Sequence, residues 1–143
     1  KFNPASVTSL IELALGGIPP GRLGAILHCR VRYFDPIARR AGLPPDVAAL
    51  LEKLTADQVI MTLVNVNQVE PRTVVVQAGG YGEHQFATVT AEGQKTTVDS
   101  VHFAVRLAPG AGGRLVIPMR RFVNAPTMTF PWDRSEMPDK RGK

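Results

Sequence analysis

Apolar positions are most densely patterned from Gln58 to Gln77, QVIMTLVNVNQVEPRTVVVQ, where two β-branched apolar runs flank a polar corner. In the first run Ile60, Thr62, Val64 and Val66 fall on one side of an extended chain and Met61 and Leu63 on the other. A strand there is apolar on both faces for most of its length, which suits an inner strand of a layered sheet. In the second run Val74 and Val76 share one face, and Thr73, Val75 and Gln77 the other. Between them Asn65, Asn67, Gln68, Glu70 and Pro71 supply turn chemistry, and Pro71, lacking an N–H, ends the pairing ladder.

The same reading extends to the rest of the chain. Residues 26–33, ILHCRVRY, place Leu27, Cys29, Val31 and Tyr33 inward and His28, Arg30 and Arg32 outward. A strand follows over Phe86 to Ala91, and Glu92 and Gly93 form a hairpin-like corner. Further on, Val101, Phe103, Val105 and Leu107 alternate with His102, Ala104 and Arg106. Leu115, Ile117 and Met119 then alternate with Arg114, Val116, Pro118 and Arg120, with Pro118 pointing to an edge position or a strand end.

Two segments carry helical spacing. Residues 4–15 put Val7, Leu10, Ile11, Ala14 and Leu15 on one stripe behind an Asn3-Pro4 start. GLPPDVAALLEKL predicts a short helix begun by Pro44, Pro45 and Asp46, with Val47, Leu50, Leu51 and Leu54 on its packing side. Six or so short strands separated by Gly, Pro and Asn turns, with only one helix between them, predict a mainly β fold. The expected architecture is an antiparallel β-sandwich or open barrel with an N-terminal helix and one short covering helix.

Composition sharpens the organisation. Residues 16–24, GGIPPGRLG, have linker character, so residues 1–22 are expected to be a helix and linker closing an upstream domain, 23–132 the sandwich, and 133–143 a flexible tail. The chain opens at Lys1 with neither an initiator Met nor the layout of a signal peptide, which predicts a processed product or an excised domain. Hydrophobic content of 44% and charged content of 20% fit a globular protein. No apolar run approaches the ~20 residues of a membrane helix, so no membrane partner is expected. The single Cys29 excludes an internal disulfide and reads as a buried structural thiol beside Leu27 and Val31.

The net charge of +5 and pI near 9.9 invite an anionic partner, but their distribution is uneven. Residues 1–45 carry a net +4, 46–110 a net -3, 111–132 a net +3 and 133–143 a net +1. A basic surface forms only if folding brings the first and last segments together.

Two constellations could carry chemistry. The loop Gly79-Gly80-Tyr81-Gly82-Glu83-His84-Gln85 offers an aromatic, an acid, an imidazole and an amide beside backbone that a sugar or phosphate could approach. It lacks the lysine and following helix of a phosphate loop and the spacing of a dinucleotide fingerprint, so no cofactor is expected. The plainer alternative is a glycine-rich turn satisfying its own hydrogen bonds. Glu83 and His84 form a candidate acid and base pair, although neighbours on an extended strand point to opposite faces. Metal-ligand spacing is absent around His28, His102 and Asp99, so no metal is expected. The second constellation is the outward set His28, Arg30, Arg32, His102, Arg106, Arg114 and Arg120, joined by Arg121. On one sheet these guanidinium groups would form a ladder able to fork onto carboxylate, sulfate or phosphate. An ordinary solvated face is the alternative. Trp132, with Phe130 and Pro131, is a stacking platform for a sugar, or else a plug that closes the end of the core or docks on a neighbouring domain.

The succession LVNVNQVEPRTVVVQ, AGGYGEHQF and VHFAVRLAPGAGGRLVIPMRRFVNAPT resembles the β-sandwich modules that follow helical-barrel domains in bacterial carbohydrate-active enzymes. There, a strand ending in a Leu-x-Pro-Gly phrase turns into a final apolar strand, as from Leu107 to Met119 here. The resemblance covers residues 58–127 and implies a noncatalytic accessory module with catalysis in a partner domain. No catalytic residue of that family maps onto this chain. The leading expectation is a structural module that packs on an upstream domain of its parent chain and holds acidic glycan on an arginine face. A second reading is a nucleic-acid-binding module with Tyr33, Phe34 and Phe122 as stacking groups. A third is a small enzyme working through Tyr81, Glu83 and His84.

Overall fold

A computed structural model describes residues 7–17 and 29–134. Nine strands are described: β1 (Val31–Asp35), β2 (Arg40–Ala41), β3 (Val47–Leu54), β4 (Gln58–Asn65), β5 (Arg72–Ala78), β6 (Gln85–Ala91), β7 (Gln94–Ser100), β8 (His102–Leu107) and β9 (Gly112–Arg120). They form two antiparallel sheets, one ordered β2-β1-β5-β8 and the other β3-β4-β9-β6-β7. Val31, Tyr33, Val74 and Val76 of the first sheet share one core with Val59, Met61, Leu63, Leu115 and Ile117 of the second. The chain is therefore mainly β, with two sheets packed as a sandwich.

The two apolar runs at the centre of the sequence are not partners. β4 lies between β3 and β9, and β5 lies between β1 and β8, so the corner from Asn65 to Arg72 carries the chain from one sheet to the other. Asn65 is fully buried there. Its Nδ2 donates to the carbonyls of Glu70 (2.9 Å), Leu107 (3.3 Å) and Ala108 (3.2 Å), and its Oδ1 accepts from the Asn67 N–H. Arg72 secures the outside of the corner by ion pairs to Glu70 (2.7 Å) and Asp46 (3.0 Å).

The covering helix expected over residues 44–54 is instead β3, an edge strand. Val47 and Leu51 face the core at strand period, and the register with β4 then slips between Leu51 and Lys53. That bulge at Glu52 brings Leu54 back into register with the inward-facing Val59, although at the end of this edge strand Leu54 stays 41% exposed. One inserted residue thus turns a period of two into the spacing 47, 51, 54, which mimics a helical stripe. The bulged Glu52 points outward, accepting from Thr62 Oγ1 and Arg114 Nε.

The helix expected at the start is α1 (Thr8–Leu15), ended by Gly16 in the left-handed conformation with its N–H on Glu12 O. Ala14 and Leu15 pack on the core, and Gly16 sits against Leu51 and Leu54, while Val7, Leu10 and Ile11 of the expected stripe are exposed. The Asn3-Pro4 start, Leu27 and His28, most of the linker and the tail beyond Arg134 lie outside the described residues. Pro118 lies in an inner strand, not at an edge. The pairing of β6 with β9 is irregular between Phe86↔Met119 and Thr90↔Val116, so the missing N–H falls where the ladder is already interrupted.

Residues 121–134 leave β9 and cross to the outer face of the four-stranded sheet as a strap. Its backbone N–H groups donate to His84 Nδ1 (from Phe122, 2.9 Å), Glu83 O (from Asn124, 3.2 Å) and Tyr81 O (from Thr127, 2.8 Å). Phe130 and Trp132, stacked with centroids 5.2 Å apart, both meet the buried Phe34 edge-on at 5.8 and 6.0 Å. This cover explains why Val75 and Gln77 are buried as well as Val74 and Val76: β5 is enclosed on both faces.

Candidate functional site

The loop before β6 is closed by its own groups. Gly79 and Gly82 have φ of 86° and 67°, and a Cβ on Gly79 would collide with the Glu83 carboxyl. Glu83 Oε2 accepts from the Tyr81 N–H at 2.8 Å, and Oε1 lies 3.6 Å from His84 Nε2. The expected separation of Glu83 and His84 onto opposite faces is therefore wrong. Both precede β6 in turn geometry, where alternation does not apply, and their side chains converge.

His84 is 2% exposed, and its Nδ1 accepts from the Phe122 N–H, so its proton sits on Nε2, facing Glu83. Burial pushes its pKa down, the Glu83 charge opposes this, and the Arg121 and Arg30 charges add to the depression. The imidazole is thus a neutral anchor for the strap. Gln85 takes no part: its Nε2 donates to Asp99 Oδ1 on β7, which also receives Arg120 at 2.6 Å. An apolar recess of about 250 Å³ lies elsewhere, between α1 and β1, lined by Ile11, Ala14, Leu15, Tyr33 and Leu43 among others.

The expected arginine ladder is divided by the sheet topology. Arg114 and Arg120 belong to β9 in the five-stranded sheet and are paired with Glu52 and Asp99. Arg30, just before β1, donates from Nη1 to Thr55 O at 2.7 Å. Arg32, His102 and Arg106 do share the outer face of the four-stranded sheet, with Arg32 and His102 aligned across Gln77. Arg32 donates to Gly80 O at 3.2 Å and lies over the Phe34 ring, whereas Arg106, opposite Thr73, is exposed with no polar partner among the described residues.

Sequence reasoning missed the contribution of the strap and the β1–β2 turn to this face. Arg134 donates to Gln77 Oε1 at 2.8 Å, and Arg39 lies over the Trp132 ring and pairs with Asp133 at 3.6 Å. Gln77, a lone amide ending an apolar run, was the one available signal that something polar covers that strand. Trp132 is not a plug at the end of the core; it is half-buried on the outer face, beside these cations. Of the three proposed base-stacking aromatics, Tyr33 and Phe34 are buried at 2% exposure each, and Phe122 is exposed. Cys29 is buried, and burial foremost, with the Glu83 charge, pushes its thiol pKa up to about 12 against the opposing effect of Arg32. No cluster of three or more His, Cys, Asp or Glu able to hold a metal occurs among the described residues. Comparison of the chain with family models, curated proteins and solved structures gave no match.

Proposed function

We propose that this domain is a noncatalytic β-sandwich module that holds acidic polysaccharide on the outer face of its four-stranded sheet, beside a catalytic domain of the same parent protein. One observation carries the reading. The outward positions of β1, β5 and β8 are Arg32, Phe34, Thr73, Val75, Gln77, His102, Ala104 and Arg106, with no carboxylate among them; Phe34, Val75 and Gln77 lie beneath the strap, which leaves Ala104 and Arg106 exposed and Arg32, Thr73 and His102 partly so. Flanking segments add Arg39 and Arg134, with Asp133 already paired to Arg39. Arginine forks match the planar carboxylates of uronic acids or the oxygens of sulfate esters. The half-buried Trp132 supplies the apolar edge against which a sugar ring can rest. The accessory role follows from the resemblance to modules of carbohydrate-active enzymes, and the exposed Leu10 and Leu13 of α1, with Val7 just before it, suit packing on an upstream domain.

Calorimetric titration with matched neutral and uronic-acid oligosaccharides tests the reading. Acidic chains are expected to bind and neutral ones not. Arg106→Ala, at an exposed position with no polar partner among the described residues, is expected to weaken binding about tenfold, the loss of one charge-assisted contact. Absence of binding, or binding indifferent to Arg106, would remove the glycan from the proposal and leave a structural module.

A further inference from the structure

Two other arginines, Arg30 and Arg121, stand at the end of the sandwich where the β3–β4 corner meets the loop before β6, and the charges of both act on His84. The Arg30 side chain is drawn to that corner by its bond to Thr55 O, and its backbone carbonyl accepts the Gly79 N–H at 2.8 Å. Asp57, in the same corner, accepts from the Met119 N–H at 2.8 Å, two residues before Arg121. Arg121 is held from the other side, because Phe122 donates to His84 and stacks edge-on against its ring at 4.6 Å. The Arg121 guanidinium lies 5.0 Å from the centroid of the Phe122 ring.

No described carboxylate neutralises this pair. The carboxylates of this corner are engaged elsewhere: Asp57 Oδ1 accepts from Thr55 Oγ1 at 3.1 Å, and of the two Glu83 oxygens one takes the Tyr81 N–H and the other faces His84. His84 Nδ1 is spent on Phe122. Among the described residues Arg121 Nε is buried without a hydrogen-bond partner, and the Arg30 side chain makes a single hydrogen bond. Burial first, and then the positive charge of Arg121, holds the Arg30 guanidinium below its usual range. Two cations with unfilled donors in a partly desolvated corner raise the energy of the empty site, and an anion that accepts from both relieves it.

We propose that Arg30 and Arg121 together form a binding site for a small oxyanion, a sulfate, phosphate or carboxylate group, bridged between the two guanidinium groups. This site lies apart from the outer-face cations Arg32 and Arg106 and does not depend on them. The bridging geometry favours groups with at least two acceptor oxygens over monatomic anions such as chloride.

Titration of the intact chain at low ionic strength with sodium sulfate, inorganic phosphate and glucuronate, followed by amide chemical shifts and calorimetry, tests the site. Saturable binding of one equivalent is expected, with shifts centred on Thr55, Asp57, Glu83 and Phe122 and weakening of about tenfold or more in Arg121→Gln. Arg30→Gln should do the same, and Lys95→Gln, an exposed cation on β7 outside both sites, should leave it unchanged. Circular dichroism checks that each variant is folded, and Arg121→Lys, which keeps the charge and loses the fork, should fall between. Binding of the inorganic ions identifies a free-anion site, and binding of glucuronate alone a sugar carboxylate site. No saturable binding of any probe, or binding that survives both glutamine substitutions, overturns the proposal.

Discussion

Replacing Asn65 with leucine would test whether one amide holds the two sheets in their observed relation. The side chain is fully buried, and leucine is close enough in volume that the change leaves little cavity; what it removes is polar. The two Nδ2 hydrogens serve the carbonyls of Glu70, Leu107 and Ala108, and Oδ1 takes the Asn67 N–H, amounting to three well-formed bonds across the corner. Each lost bond whose partner stays buried costs about 1 to 3 kcal/mol. Because part of this corner can admit water, the lower half of that range applies, and the substitution should destabilise the fold by roughly 3 to 6 kcal/mol. Against a total of roughly 5 to 15 kcal/mol for a single domain, that is a large fraction. Urea denaturation followed by far-UV circular dichroism and by the fluorescence of Trp132, the one tryptophan of the chain, measures it. Asn65→Asp adds a sign test. Its carboxylate would face three carbonyl oxygens, so its folded pKa should be raised. Its penalty should be largest above that pKa and shrink as pH falls toward the ordinary aspartate value. A loss below about 1 kcal/mol for the leucine variant would refute the assignment of the corner to this amide.

Two further outcomes are expected. His84 has a depressed pKa and accepts the Phe122 N–H, so its contribution to stability is complete above about pH 6.5 and is lost as pH falls through its lower folded value. Hydrogen exchange at Phe122 and Asn124 should therefore accelerate on acidification, and unchanged protection down to the acid transition of the whole fold would contradict the anchoring role. Cys29, buried with its thiol pKa pushed up to about 12, should resist a thiol-specific reagent in the native state and react only on unfolding. Reaction at the rate of a free thiol in the folded protein would count against that burial.

What the sequence disclosed and what it concealed divide along physical lines. Strands with one wet face, such as β8 and β9, and the Glu92-Gly93 corner, where both residues have positive φ, were visible because the signal is local. β7 was missed, since an exposed edge strand, QKTTVDS, has little apolar alternation to display. β3 was misread because a bulge reproduces helical spacing. The partition of Arg32 and Arg106 from Arg114 and Arg120 could not be read at all, because alternation gives the face of a strand and not the sheet it joins. The approach of His84 to Glu83 and the burial of Gln77 depend on a segment some 40 to 57 residues further along the chain. Such long-range closure leaves only a weak trace, as in the lone glutamine after three valines.

The strap has a consequence for how this protein is made. Synthesis proceeds from the N-terminus, so the nine described strands emerge from the ribosome before Phe130 and Trp132 do, and Phe34 and Val75 wait for their cover. Until then the nascent domain carries an oily strip along β1 and β5, and that interval is when chaperones would find it and when neighbouring chains would stick.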